Sequence, residues 1–443
     1  MRLHALIALI AVSGSAAANM EVHAHRSKVA GIDLITYQST VKDVVVIMGV
    51  LPAGDAMAGS GNIAIPTLSG MMLDRGTKAL DKFAIADKLE NVGAEISFAV
   101  GSQSLQIRAK CLKKDLPLIV GLIAAELRTP ALQSTEFVKA KQQMVGELEH
   151  SAQNTGARAL EAFDRAIFPA GHPNRPHTVS EYIVAAKSAN LEELKAFQAK
   201  FYGPAHMTLV VAGDVADADT QAEVAKAFSG WSGGQDYIRP AKPAQAAAAS
   251  EEVTVPLADK PSVSVLLGQA SGLKYSDPDS LALRVGTAIL GSGFTGRLMS
   301  TVRDKEGLTY GIGASMGDDS IVDGAWNINA SFAPALLSKG VAATRRELDK
   351  WWSEGVTDQE LAARKQGITG SYFVGLSTTS GLAGTILLNA QRGYDPSWLD
   401  DYPKAVKALT RAEVNAAIKA RLNPSTMVLV EAGSAAAGGS GAR

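Results

Sequence analysis

The chain has 443 residues, a length that suggests two or three domains with substantial cores. Lys plus Arg number 43 against 44 for Asp plus Glu, a formal charge of −1, so there is no positive excess to hold a phosphate backbone and general nucleic-acid binding is not expected. Hydrophobic residues make up 47% and charged residues 20%, well away from the disordered range, and the single Cys111 excludes an internal disulfide, a Cys-rich zinc finger and an iron–sulfur cluster built from this chain alone.

In chain order, residues 1–18 combine Arg2, a short apolar run at 5–12 and small residues at 16–18. This is the pattern of a signal peptide, from which a periplasmic or secreted protein is expected. No later stretch reaches the ~18 apolar residues that a membrane-spanning helix needs. The run 43–51 (DVVVIMGVL) reads as a strand. Residues 104–110 (SLQIRAK) alternate at period two and lead into a helix over 115–127, with Pro117 in its first turn. A turn at 129–135, a second helix over 136–151 and a strand at 207–214 (MTLVVAGD) follow. Residues 237–250 (YIRPAKPAQAAAAS) carry two prolines and an alanine run and read as an interdomain linker.

Beyond the linker the same order recurs: strands at 262–268 and 326–332, helices over 337–352 and 359–372, and a closing strand at 427–433. Self-similarity over a period of ~200 residues points to duplication rather than a solenoid. The expected fold class is α+β: two homologous domains, 27–236 and 251–434, each a mostly antiparallel sheet with helices packed on one face. Residues 435–443 read as a flexible tail.

Gly291, Gly293 and Gly296 spell a Gly-x-Gly-x-x-Gly, but helical spacing at 277–290 precedes it, whereas a dinucleotide fingerprint follows a strand. The glycines are better suited to a backbone that lies close to something else. The seven histidines include no His-x-x-x-His, His-Glu-x-x-His or His-x-x-Glu-His, and His172 and His177 sit in a proline-rich loop without ligand spacing. No catalytic metal is therefore expected in this chain. In MSTVRDKEGLTYGIGA (299–314), Arg303 falls on a short helix, Gly307 suits the left-handed residue that ends it, and Tyr310 begins a returning strand. A fixed guanidinium and a neutral phenol aimed at one point suit a carbonyl developing oxyanion character, although a helix-end cation and a strand tyrosine explain the same residues.

With its duplicated halves, its linker and RDKEGLTYGIG, the mature chain from about residue 27 to 434 resembles the insulinase/pitrilysin family of zinc peptidases, the inverzincins. The family carries an Arg and a Tyr seven residues apart in its C-terminal half, matched by Arg303 and Tyr310, and the resemblance implies that they bind and polarise the scissile carbonyl. Active members have His-x-x-Glu-His shortly before a Gly-Thr pair. Here the segment reads IPTLSGMMLDRGT, so Thr67, Gly70 and Met71 stand at the ligand and base positions before Gly76 and Thr77. None can act as an imidazole ligand or a general base. Glu147 or Glu149 falls near the place of the third ligand.

The resemblance thus implies a zinc-free subunit of a heteromeric zinc metalloendopeptidase, inactive alone. It would pair with a homologous zinc-bearing partner that has His-x-x-Glu-His and act on unfolded peptides bound by strand addition. The alternative is a non-catalytic structural or peptide-holding protein of the same fold.

Overall fold

The computed structural model describes residues 20–434; the leader at 1–18 and the tail at 435–443 lie outside the described residues. Six strands form the first sheet: β1 (Ala24–Val29), β2 (Ile32–Gln38), β3 (Val44–Leu51), β4 (Glu95–Val100), β5 (Leu105–Leu112) and β6 (Thr208–Gly213), in the order β1-β2-β6-β3-β5-β4. Five form the second: β7 (Glu251–Pro256), β8 (Val263–Ala270), β9 (Ile312–Gly317), β10 (Ala325–Phe332) and β11 (Val428–Gly433), in the order β7-β11-β8-β10-β9. With β1 set aside, the two sheets match strand for strand. Each has a single parallel pair in the same place, β2 with β6 and β7 with β11.

Alternation decides which side of each strand is buried. Along β5, Leu105, Ile107, Ala109 and Cys111 point into the core while Arg108 and Lys110 face out. Cys111 is a buried hydrophobe whose thiol pKa is pushed up to about 11 by desolvation. Along β10, Trp326, Ile328 and Phe332 are buried, and the Trp326 indole N–H donates to Thr287 at 2.8 Å.

The chain adopts the α+β class expected of it, with a layer of helices from each half packed on one face of its own sheet. The first core gathers the helices Ile65–Met71, Leu116–Arg128, Ser134–Ser151 and Leu191–Phe201. The second gathers Ser280–Gly291, Leu337–Glu354 and Arg411–Arg421. An exchange of helices covers part of the opposite faces. Thr155–Ile167, from the first half, sets Ala159, Phe163 and Ile167 against Leu266, Val428 and Val430 of the second sheet. Thr379–Gln391, from the second half, sets Leu382, Ala383 and Ile386 against Ile35, Val46 and Val210 of the first. Phe163→Ala should therefore cost about 3–5 kcal/mol, the scale for a fully buried aromatic ring. Urea unfolding measures it, and a loss under ~1 kcal/mol would contradict the packing.

The segment between the helix Asp217–Phe228 and β7 has no helix or strand, yet it is tied down. The Ala244 N–H donates to Asp323 Oδ2 at 2.8 Å, and His172 Nε2 lies 3.2 Å from Asp323 Oδ1. Because the Asn174 N–H donates to His172 Nδ1, the ring proton resides on Nε2 and points at Asp323. His172, stacked on Phe168 at 4.5 Å, therefore serves the seam between the halves. No single helix among the described residues is long and apolar enough to cross a membrane.

Candidate functional site

Thr67, Gly70 and Met71 lie on the short helix Ile65–Met71, whose Ile65 and Leu68 face the core. They line a cleft of about 270 Å³ together with Phe98 to Val100 of the edge strand β4 and with Gln143 and Glu147 of the helix Ser134–Ser151. The three positions are thus brought together, and Glu147, not Glu149, faces them. Their chemistry is unsuited to zinc. The Thr67 hydroxyl donates to Asp55 Oδ1 at 2.8 Å, and Tyr182 donates to the other oxygen at 3.3 Å. Burial pushes the Asp55 carboxyl pKa up to about 6.

At Gly70, a Cβ would lie 2.5 Å from Val100 Cγ2, so β4 closes the position where a general base would stand. Arg75 reaches into the same cleft: its Nε donates to the Met71 carbonyl at 2.9 Å and its Nη2 to Gln143 at 2.6 Å. A fixed guanidinium opposes a second cation. These residues do not fit a zinc ion, and among the described residues no group of three or more His, Cys, Asp or Glu side chains could hold one. Writing the motif back as Thr67→His, Gly70→Glu and Met71→His should leave the chain without stoichiometric zinc after dialysis against micromolar metal. One zinc per chain by elemental analysis would overturn that expectation.

In the second half, Arg303 lies on the π-helical segment Met299–Lys305, and Gly307 takes φ +64°, the left-handed conformation that reverses the chain. The returning strand begins at Ile312, so Tyr310 precedes it. The reason is Thr309, whose hydroxyl hydrogen-bonds the carbonyls of Ser331 and Gly311 and holds residues 309–311 off the ladder. The reversal nevertheless aims both side chains at one point. The Arg303 guanidinium lies 5.0 Å from the Tyr310 ring centroid and 5.1 Å from that of Phe294, a cation between two aromatic faces. Tyr310 is 88% exposed.

The family match begins near the end of the first half and runs through this site, while the similar proteins span most of the chain. Residues 188–368, which include Arg303 and Tyr310 but not Thr67 to Met71, match the model described as Peptidase M16 inactive domain. An uncharacterized zinc protease of Streptomyces coelicolor is 24% identical over 349 residues, 78% of this chain and 75% of that protein. The non-peptidase homolog YmxG of Helicobacter pylori is 23% identical over 388 residues, 85% and 86% of the two chains. The crystal structure of a peptidase M16 inactive domain from Pseudomonas fluorescens superposes with a TM-score of 0.84 at 24% identity, covering 93% of this chain and 98% of that one.

Over most of its length the chain is similar to M16 peptidases, and residues 188–368 match the inactive domain of that family. The cleft at Gly70 lies outside the matched residues, and its side chains do not suit zinc.

The two halves of the chain share paired residues that the sequence did not single out. Arg75 pairs with Glu136, in the first turn of the helix Ser134–Ser151, at 3.4 Å. Arg297 pairs with Glu360, in the first turn of Asp358–Leu376, through two bonds of 2.6 and 2.7 Å. Hydrogen bonds from Lys139 and Lys82 hold the Glu136 pKa down to about 2, and the bonds from Arg297 do the same for Glu360. The two pairs occupy the same place in the repeat, and each anchors the segment that carries its half-site. Overlaying the two halves residue by residue would have found them.

Gly291 has its own close approach. A Cβ there would lie 2.2 Å from the Ala314 amide nitrogen of β9, so this glycine serves helix-to-strand packing. Gly291→Ala should destabilise the fold by about 1–3 kcal/mol, the usual range for overpacking against backbone. A shift in the thermal midpoint checks it, and an unchanged midpoint would contradict the close approach.

Proposed function

We propose that this chain is the zinc-free subunit of a heteromeric M16 metalloendopeptidase, supplying Arg303 and Tyr310 in trans to bind and polarise the scissile carbonyl of an unfolded peptide. The observation that carries the reading is the pairing of an exposed, Arg303-faced Tyr310 with a first-half cleft whose residues do not suit zinc. One half of a peptidase site is preserved without the other. A homologous partner with His-x-x-Glu-His would bring the metal and the base. The exposed Tyr310 phenol can donate to a carbonyl oxygen as negative charge builds on it. The Arg303 guanidinium adds a fixed positive charge and, through its contact with the ring, holds the phenol in place.

Both sheets end in an edge strand beside a cleft, β4 at Gly70 and β9 at Gly313, and a peptide added to such an edge gains main-chain hydrogen bonds with little sequence demand. The leader-like residues 1–18 support a periplasmic or secreted location. The domain division at 27–236 and 251–434 follows the two repeated sheets.

A photo-crosslinking residue at position 310, activated in periplasmic extract of the source organism, tests the proposal. The expected product joins this chain to a homologous chain carrying His-x-x-Glu-His. Crosslinks confined to copies of this chain would overturn it. A peptide-holding role without catalysis is the second reading, favoured by the likeness to a protein named as a non-peptidase homolog.

A further inference from the structure

We infer that Phe294 joins the Arg303–Tyr310 pair to the neighbouring cleft as one peptide site, in which an extended peptide seats an uncharged apolar side chain against Phe294. The inference rests on the trans-site reading for its catalytic part only. The cleft, of about 740 Å³, opens on the face of the second sheet that the helix Thr155–Ile167 leaves bare, and no charged side chain lines it. Its apolar lining includes Leu160, 47% exposed, and Phe294, 71% exposed. Its floor is polar. Along β10 the residues that do not enter the core are Asn327, Asn329 and Ser331, and neither carboxamide makes a hydrogen bond among the described residues.

Two residues apart on one strand, those carboxamides are about 6.6 Å apart, the repeat at which an extended peptide presents successive main-chain groups on one side. A carboxamide donates and accepts at once, as a peptide group does, so the floor can read the main chain of a peptide while the walls read one side chain. A cationic side chain entering there would lose its hydration, find no counter-charge in the lining and meet Arg303 beside Phe294.

Phe294 also touches the catalytic pair. Its ring lies 5.1 Å from the Arg303 guanidinium, which also lies 5.0 Å from the Tyr310 ring. Phe294 is therefore a positioning residue for Arg303 as well as a wall of the cleft, so a side chain seated on it brings the adjoining peptide carbonyl toward Arg303 and Tyr310.

Fluorescence anisotropy on the mature chain alone tests this with labelled neutral decapeptides that differ only in a central Leu, Glu or Lys. The Leu peptide should bind, with the Lys peptide at least about tenfold weaker and the Glu peptide between the two, because Arg303 beside Phe294 offsets part of its lost hydration. Phe294→Ala should weaken the Leu peptide about tenfold, the scale for removing an aromatic anchor, and Phe294→Tyr should restore it. Asn327→Ala with Asn329→Ala should weaken all three peptides together, while Phe83→Ala, a distant exposed ring, should change nothing.

The Nε–H resonance of Arg303, shifted by the two rings, should move in Phe294→Ala and return in Phe294→Tyr. Equal binding of the three peptides, or unchanged affinity in Phe294→Ala, overturns the cleft; an unmoved Arg303 resonance overturns the positioning role. Self-association that competes with peptide and disappears in Phe294→Ala would make a second copy the occupant and overturn it too. With no partner subunit present, these readouts fail or succeed independently of Tyr310→Phe turnover.

Discussion

Tyr310→Phe should lower kcat of the assembled peptidase by about 10²- to 10³-fold while leaving KM nearly unchanged, the scale for deleting one donor to a developing oxyanion. The ring, its stacking on Arg303 and the fold all survive the change, because the phenol stands in solvent and has no place in the core. Only the hydroxyl is lost. Arg303→Ala should also reduce turnover, but it removes a positive charge and the support of the Tyr310 ring together, so it discriminates less well. Steady-state kinetics on a reconstituted pair, with the partner unaltered, separates the outcomes. Unchanged kcat in Tyr310→Phe would remove the phenol from the mechanism and favour the peptide-holding reading.

The second large effect concerns pH. Glu126, on the helix Leu116–Arg128, is 1% exposed, and its Oε2 has no hydrogen-bond partner among the described residues. Burial, helped by the charge of Asp74, pushes its pKa up to about 8, so the carboxyl is protonated in the folded chain at neutral pH. A carboxyl raised in the folded state stabilises fully below its ordinary pKa near 4.5, and that contribution is lost as pH rises through about 8. Asp164, pushed up to about 8 by burial and by Asp318, and Asp55, pushed up to about 6, act in the same direction. Glu136 and Glu360, both held near 2, act oppositely and oppose unfolding until the medium is distinctly acidic.

Stability should therefore peak near pH 5 and fall toward pH 9. Glu126→Gln, which cannot ionise, should be more stable than the parent at pH 9 by on the order of 4 kcal/mol and close to it at pH 5. Urea unfolding of both proteins at pH 5, 7 and 9 checks this. A difference that stays constant across the three would show that Glu126 does not titrate in the folded state.

Much of this architecture was legible because it is written locally and then written again. The alternation in SLQIRAK and WNINASF, and the helices that follow each, recur at the same places, and apart from β1 the two sheets match strand for strand. The Arg303–Tyr310 pair was legible because one reversal through Gly307 brings two residues of a single short segment together.

What escaped the sequence depends on distant contacts. The apolar positions 159, 163 and 167 mark a helix stripe, but nothing near them says that it covers the sheet of the other half. Gly70 reads as a lost side chain; only Val100, thirty residues on, shows that its place has been filled. Arg75 enters the cleft because helix Ser134–Ser151 offers it Glu136 and Gln143, and Phe294 meets Arg303 because the 291–296 glycines fold the loop back.

The claim that this chain completes another chain's site is tested most directly by isolating the tagged protein from an extract of its own organism, with zinc and the masses of co-eluting chains determined on one eluate. The account predicts a partner of similar size that carries His-x-x-Glu-His, and about one zinc per pair. Elution as this chain alone, without zinc and without a homologous partner, would contradict it.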